Sequence, residues 1–101
     1  NLLEEKNYKV KKLVIFPNEK ISFQYHKFRE EQWYVTKGFG RVFIENKVFP
    51  CKKGSSFEIK KKEKHSIENN GNSLLEIIEI QTGSKLLEED IVRLQDKYGR
   101  T

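Results

Sequence analysis

The chain has 101 residues, 36% hydrophobic and 35% charged, with a formal net charge of +5 and a pI near 9.3. That length supports one compact core but not two, and the basic balance favours an anionic partner over a cationic one. The lone Cys51 excludes an internal disulfide and a cysteine metal cluster and fits a reducing compartment, and no apolar run approaches the ~18 residues of a helical membrane span.

In chain order, residues 1–7 read as a polar lead-in. Residues 8–17 alternate, are rich in Val, Leu, Ile and Phe, and end at Pro17, as a strand does. A turn at 18–20 precedes a second strand at 21–27. A third covers 31–37, and Gly38 and Gly40 then permit a tight turn. Residues 41–45 and 47–50 flank Asn46 as a short hairpin. Further strands are predicted at 55–60, 65–69 and 74–81, the last being the most apolar. Seven or eight short strands with closely spaced turns predict an all-β sandwich or barrel. Residues 86–97 read as the only helix: Leu87, Ile91 and Leu94 recur at helical spacing, with acids first and bases later. Its expected place is across the outside of the barrel.

The chain's two histidines both fall in one pattern. In Gln24-x-His26-x4-Glu31-x6-Gly38, the first two side chains leave one face of a strand, roughly 6.5 Å apart. A hairpin around residues 27–30 would bring Glu31 to the same cavity, and His65 could join from a third strand. An amide oxygen, two imidazoles and a carboxylate suit a divalent ion, zinc first, with Mn, Co, Ni or Fe(II) as alternatives. Any one of these residues alone is more often a solvated or satisfied group. The lysine run at 60–64 with Arg29, Arg93 and Arg100 offers candidates for a phosphate clamp, although a charge run is ordinarily a solvated turn. Tyr25, Phe28, Trp33 and Tyr34 among basic residues hint at a nucleic-acid surface, but the alternation turns Trp33 towards the Glu31 face, so no nucleic-acid partner is expected. Cys51, after Pro50 and far from either His, reads as buried filler rather than a nucleophile.

These residues carry a resemblance. The first pattern resembles the first metal motif of the cupin superfamily, with Gln24 in place of its first His. Gly54-x5-Lys60-x-Lys62-x2-His65-x3-Asn69 resembles the second, with lysines at the Pro and Gly positions. Tyr8-Lys9-Val10-Lys11, Arg29-x-Glu31-x-Trp33, Glu68-Asn69-x-Gly71 and the C-terminal EDIVR and KYGR segments are similar to the type II phosphomannose isomerase domain. That domain often forms the C-terminal part of bifunctional mannose-1-phosphate guanylyltransferases. The resemblance implies a double-sheet jelly-roll barrel with a short C-terminal helical segment, formed as one domain over residues 1–101.

It further implies one divalent metal held by Gln24, His26, Glu31 and His65, and interconversion of mannose 6-phosphate and fructose 6-phosphate through an enediol. Arg29, Lys60, Lys62, Arg93 and Arg100 become candidate substrate ligands, with Arg29 expected at the cavity mouth. Glu79, within the apolar last strand, leads Glu58 and the Glu89/Asp90 pair as the proton-transfer base. The runners-up are a non-catalytic cupin that binds a sugar phosphate or nucleotide sugar, and a nucleotide-sugar isomerase or epimerase. The start at Asn1 without Met reads as a fragment of a longer enzyme with an upstream nucleotidyltransferase domain. A homodimer, a cytoplasmic location and no membrane partner complete the expectations.

Overall fold

The computed structural model describes residues 3–4, 8–83 and 91–93. They form ten strands: β1 (Leu3–Glu4), β2 (Tyr8–Ile15), β3 (Lys20–His26), β4 (Arg29–Lys37), β5 (Phe39–Ile44), β6 (Lys47–Lys52), β7 (Ser56–Ile59), β8 (His65–Glu68), β9 (Leu75–Gly83) and β10 (Ile91–Arg93). All pairings are antiparallel. One sheet runs β1-β2-β9-β4-β7 and the other β10-β3-β8-β5-β6, so the fold is the expected double-sheet barrel. Pro50 sits in β6, a sheet edge, where its missing N–H costs no ladder bond.

Two expectations are corrected. The helix over residues 86–97 does not form at 91–93, which instead add a strand to the open edge of β3, Ile91 opposite His26 and Arg93 opposite Gln24. An unpaired strand edge offers a row of backbone partners, and such pairing overrides a weak helical pattern. The remainder of 86–97 lies outside the described residues. Nor do β3 and β4 form a hairpin: they belong to opposite sheets. The link through Lys27 and Phe28 crosses between the layers, so Gln24 and His26 meet Glu31 across the interior rather than along a shared ladder.

The inner face of the first sheet divides by rows. Lys9, Gln81, Glu31 and Ile59 stand side by side across β2, β9, β4 and β7, and Lys11, Glu79, Trp33 and Phe57 form the next row. Beyond them come Leu13, Ile77 and Val35, then Ile15 and Leu75. One end of the barrel is therefore polar and the other apolar. Ile15, Val35, Val42, Ile67, Leu75 and Ile77 are buried in the apolar half, each contributing roughly 1.5–3 kcal/mol of transfer free energy.

Asn69, the last residue of the second motif, closes that apolar end. Its Nδ2 donates to the carbonyls of Ile15 and Ser73, both at 2.8 Å, and its Oδ1 accepts from the Gly71 N–H at 2.9 Å. It therefore fastens two turns and takes no part in the polar end.

Candidate metal centre

A β-bulge sets the phase of β3. Ile21 pairs with Ile67 but Gln24 with His65, so two residues of β3 oppose the single Ser66. The extra residue lets Ile21, Gln24 and His26 all line the interior despite their odd spacing. The Ser66 hydroxyl donates to the Ile21 carbonyl at this irregularity.

Candidate ligand atoms of His26, Glu31 and His65 all lie within 4.8 Å of one another, and all three residues are buried. His26 Nε2 is 3.0 Å from Glu31 Oε2, and His65 Nε2 is 3.9 Å from Glu31 Oε1. Donors bound at about 2.0–2.2 Å to one ion stand roughly 3 Å apart, so this spacing is the right order for a shared ion. The His65 Nδ1–H donates to the Glu63 carbonyl at 3.0 Å, which leaves the lone pair on Nε2, facing the interior. Neither His65 Nε2 nor Gln24 Oε1 has a hydrogen-bond partner among the described residues, although both atoms are buried. Orphaned buried acceptors are costly in a dry site and are satisfied by a cation. The donor set is thus compatible with a metal ion.

Around this group the charges interlock. Arg29 Nε and Nη2 both lie 3.1 Å from Glu31 Oε2, and Nη2 lies 3.3 Å from His26 Nε2. Arg29 is 3% exposed, so it belongs to the cavity wall and not to the expected mouth. The Trp33 indole N–H reaches Glu31 Oε1 at 3.0 Å and Glu79 Oε2 at 3.3 Å, while Gln81 Nε2 donates to Glu79 Oε1 at 3.0 Å.

Burial alone would raise the Glu31 carboxyl, but hydrogen bonds from His26 and Glu79 and the nearby imidazoles overcome it and hold Glu31 well below the usual carboxylate range. Burial, reinforced by the bond to Glu31 and its charge, pushes Glu79 up to about 8. Of the two carboxyls, Glu79 is the one whose surroundings favour the protonated form. Burial also lowers His65, which favours the neutral imidazole a metal requires.

These groups line a cavity of about 190 Å³, together with Lys11, Leu13 and Ile21. A larger groove of about 480 Å³ lies on the outer face of the same sheet, between Tyr34, Glu58, Ile78 and Ile80, away from this chemistry. Of the residues singled out in the sequence, Gln24, His26, Arg29, Glu31 and Glu79 line the cavity. His65 contributes through its ligand atom. Lys60 and Lys62 are exposed on the β7–β8 turn and do not line it, and Glu58 faces outward. The Arg93 backbone pairs in β10, and Glu89, Asp90 and Arg100 lie outside the described residues. Sequence reasoning passed over Gln81 and the inward lysines of β2. Gln81 could have been found from its even spacing to Glu79.

A sequence model described as "Mannose-6-phosphate isomerase C-terminal" matches residues 1–96. A mannose-1-phosphate guanylyltransferase of Salmonella montevideo is 41% identical over 93 residues, which cover 92% of this chain and 20% of that protein. The chain spans about a fifth of the length of the curated relatives it matches. Among solved structures, a protein with a double-stranded β-helix domain from Klebsiella pneumoniae superposes with a TM-score of 0.83 at 18% identity, covering 94% of this chain and 81% of that one. A putative sugar phosphate isomerase from Acidithiobacillus ferrooxidans gives 0.69 at 26% identity, covering 75% and 50% respectively.

Proposed function

The chain belongs to the mannose-6-phosphate isomerase C-terminal domain family, and on that premise we propose that it is a metal-dependent aldose–ketose isomerase for mannose 6-phosphate and fructose 6-phosphate. The observation that carries this reading is the convergence of His26, Glu31 and His65 beside a proton-holding Glu79 in one buried cavity. The similarity to a putative sugar phosphate isomerase supports the substrate class.

Gln24, His26, Glu31 and His65 would hold the ion. When bound, a divalent ion supplies Lewis-acid polarisation at the carbonyl end of the open-chain sugar. On this reading Glu79 moves the proton from the fraction of molecules in which it has first lost its own proton to water: its carboxylate takes the C2 hydrogen of the aldose and returns it to C1, while a hydroxyl proton passes from O2 to O1 to complete the ketose. A carboxyl that ionises near pH 8 is a far stronger base than an ordinary glutamate, and its proton affinity matches neutral conditions. Trp33 and Gln81 hold the Glu79 carboxyl in place. Arg29, fixed by Glu31, offers its buried Nη1 to the charge that develops on the substrate oxygens.

The deciding experiment is turnover of mannose 6-phosphate by protein stripped of metal and reloaded with Zn, Mn or Co. Metal-dependent formation of fructose 6-phosphate is the expected result, and its absence with every metal in folded protein refutes the reading. One observation favours a second reading, a cupin that binds a sugar phosphate without turning it over: the Arg29 guanidinium already stands against both Glu31 and His26. Saturable binding without turnover in metal-replete protein would establish that alternative.

In the full-length protein we place an upstream nucleotidyltransferase domain, because the relatives named guanylyltransferases are far longer than this chain. No helix among the described residues is long and apolar enough to cross a membrane. The similarity to mannose-1-phosphate guanylyltransferases supports placing the enzyme in the cytoplasm. Among the described residues β1 pairs with β2 only at Lys9 and Val10, and the edge of β2 beyond them favours a homodimer. A monomer in sedimentation at high concentration would rule it out.

A further inference from the structure

We propose that Gln81 accepts a hydrogen bond from the sugar hydroxyl next to the reacting carbons and so sets which sugars the cavity takes. The proposal rests on the isomerase reading above and deepens it. Gln81 is fully buried, lines the cavity with Glu31 and Glu79, and stands opposite Glu31 in the pairing of β9 with β4. Its amide is engaged at one end only. Nε2 donates to Glu79 Oε1 at 3.0 Å, whereas Oε1 is buried without a hydrogen-bond partner among the described residues.

The cavity's orphaned atoms sort by polarity. Gln24 Oε1 and His65 Nε2 belong to the candidate ligands, and a cation would satisfy both. Gln81 Oε1 and Arg29 Nη1 then stay behind, an acceptor and a donor. They come from adjacent inward rows of one sheet, since Arg29 stands opposite Gly83 and Glu31 opposite Gln81. A hydroxyl both donates and accepts, so hydroxyls on successive carbons can serve the two atoms together. A bare anion could not donate to the amide oxygen, and an apolar ligand would leave both atoms unsatisfied.

Position narrows which hydroxyl is meant. On the isomerase reading Glu79 acts at C1 and C2. The amide of Gln81 is bonded to the Glu79 carboxyl, so its free oxygen is placed for the adjoining carbon, C3. One side chain thus holds the base through its nitrogen and the substrate through its oxygen. A sugar without that hydroxyl leaves the oxygen unpaired, and sites built around such a hydrogen bond reject the analogue that lacks it.

The test compares mannose 6-phosphate with its 3-deoxy analogue in turnover by the metal-loaded full chain. The two corresponding open-chain alditol phosphates are compared in calorimetric titration. The wild type should favour the hydroxylated member of each pair by about tenfold or more. In Gln81→Met, which is similar in length but has no amide, the preference should fall to within about threefold. Its kcat should drop for both sugars alike, because the bond to Glu79 is lost as well. If Gln81→Met does not fold, Gln81→Leu serves in its place. Gln32→Leu, which removes an exposed amide from the outer face of β4, should keep the wild-type preference. A preference that survives in Gln81→Met, or none in the wild type, overturns the proposal and leaves Gln81 only its hold on Glu79. Should the wild type turn over no mannose 6-phosphate, the isomerase reading fails on its own, and the alditol titration still decides whether Gln81 reads the hydroxyl. Failure of the wild type to bind either alditol phosphate overturns the proposal too.

Discussion

Glu31 and Glu79 share one hydrogen-bond donor, the Trp33 indole N–H, at 3.0 Å and 3.3 Å. Two carboxylates so placed cannot both carry full charge in a buried site, and the asymmetry of their surroundings decides which keeps the proton. Glu31 faces Arg29 and two imidazoles and ionises. Glu79 has the amide of Gln81 and retains its proton up to about pH 8.

Replacing Glu79 by Gln should reduce turnover by about 10²–10⁴-fold, the usual weight of a general acid–base group, while metal content stays intact. The same change should stabilise the metal-free protein at neutral pH. Glu79 is raised from 4.5 to about 8, so the native state binds its proton more tightly than the unfolded chain, and stability falls as pH rises between those values. Glu31 has the opposite sign: its contribution is present above pH 4.5 and is lost on acidification. Denaturant titrations of Glu79→Gln from pH 5 to 8 should show a flatter profile and a gain on the order of 1–3 kcal/mol at pH 8. A profile parallel to the wild type would remove the account of a protonated Glu79.

Metal should stabilise the fold measurably. A ligand at a hundredfold excess over Kd adds about 2.7 kcal/mol, or upwards of about 10 °C in Tm for a domain of this size. Scanning calorimetry with and without zinc, reversed by a chelator, reads this directly. His65→Ala should abolish the shift, and Gln24→Leu should reduce it. A full shift in His65→Ala would mean the ion sits elsewhere.

Lys62 adopts a left-handed conformation, φ 67°, while its N–H donates to the His26 carbonyl at 2.7 Å. A non-glycine residue there costs about 1–2 kcal/mol, part of which glycine returns through its more flexible unfolded chain. Lys62→Gly should therefore raise stability by about 0.5–1 kcal/mol in urea titration. A loss of stability would show that the lysine side chain holds the turn by other means.

The alternation along β9 makes a paired prediction. Ile77 is fully buried, whereas Ile80 is 38% exposed on the outer face. Ile77→Ala should cost about 2–5 kcal/mol, and Ile80→Ala less than half of that in the same urea titration. Equal costs would imply that the outer face is covered in solution.

Much of this arrangement was legible in the residues. Strand alternation gives β2 to β9 within a few positions, because apolar side chains recur at period two between Gly, Pro and Asn turns. The spacing of Gln24, His26 and Glu31 marks them as a group. Their meeting across two layers was not legible, since it depends on the Lys27–Phe28 crossover and on a bulge in β3 that no residue type announces. The phase of β2 was equally hidden. Lys9, Lys11, Leu13 and Ile15 share one face, and Tyr8, Val10, Lys12 and Val14 share the other, so both faces mix charge with apolar groups. Only the pairing of Lys9 with Gln81 and Lys11 with Glu79 tells which one turns inward. The helical spacing misled at Ile91, where an open sheet edge competes for the same backbone.

The division of the barrel into apolar and polar rows bears on how the protein comes into service. The half that drives collapse contains none of the candidate ligands, so the chain should reach its native shape before any ion arrives. On the metal-dependent reading, supply of metal in the cell would then govern how much of the protein is active and add to how long it survives, and a starved cell would keep assembled but less stable molecules ready to be charged.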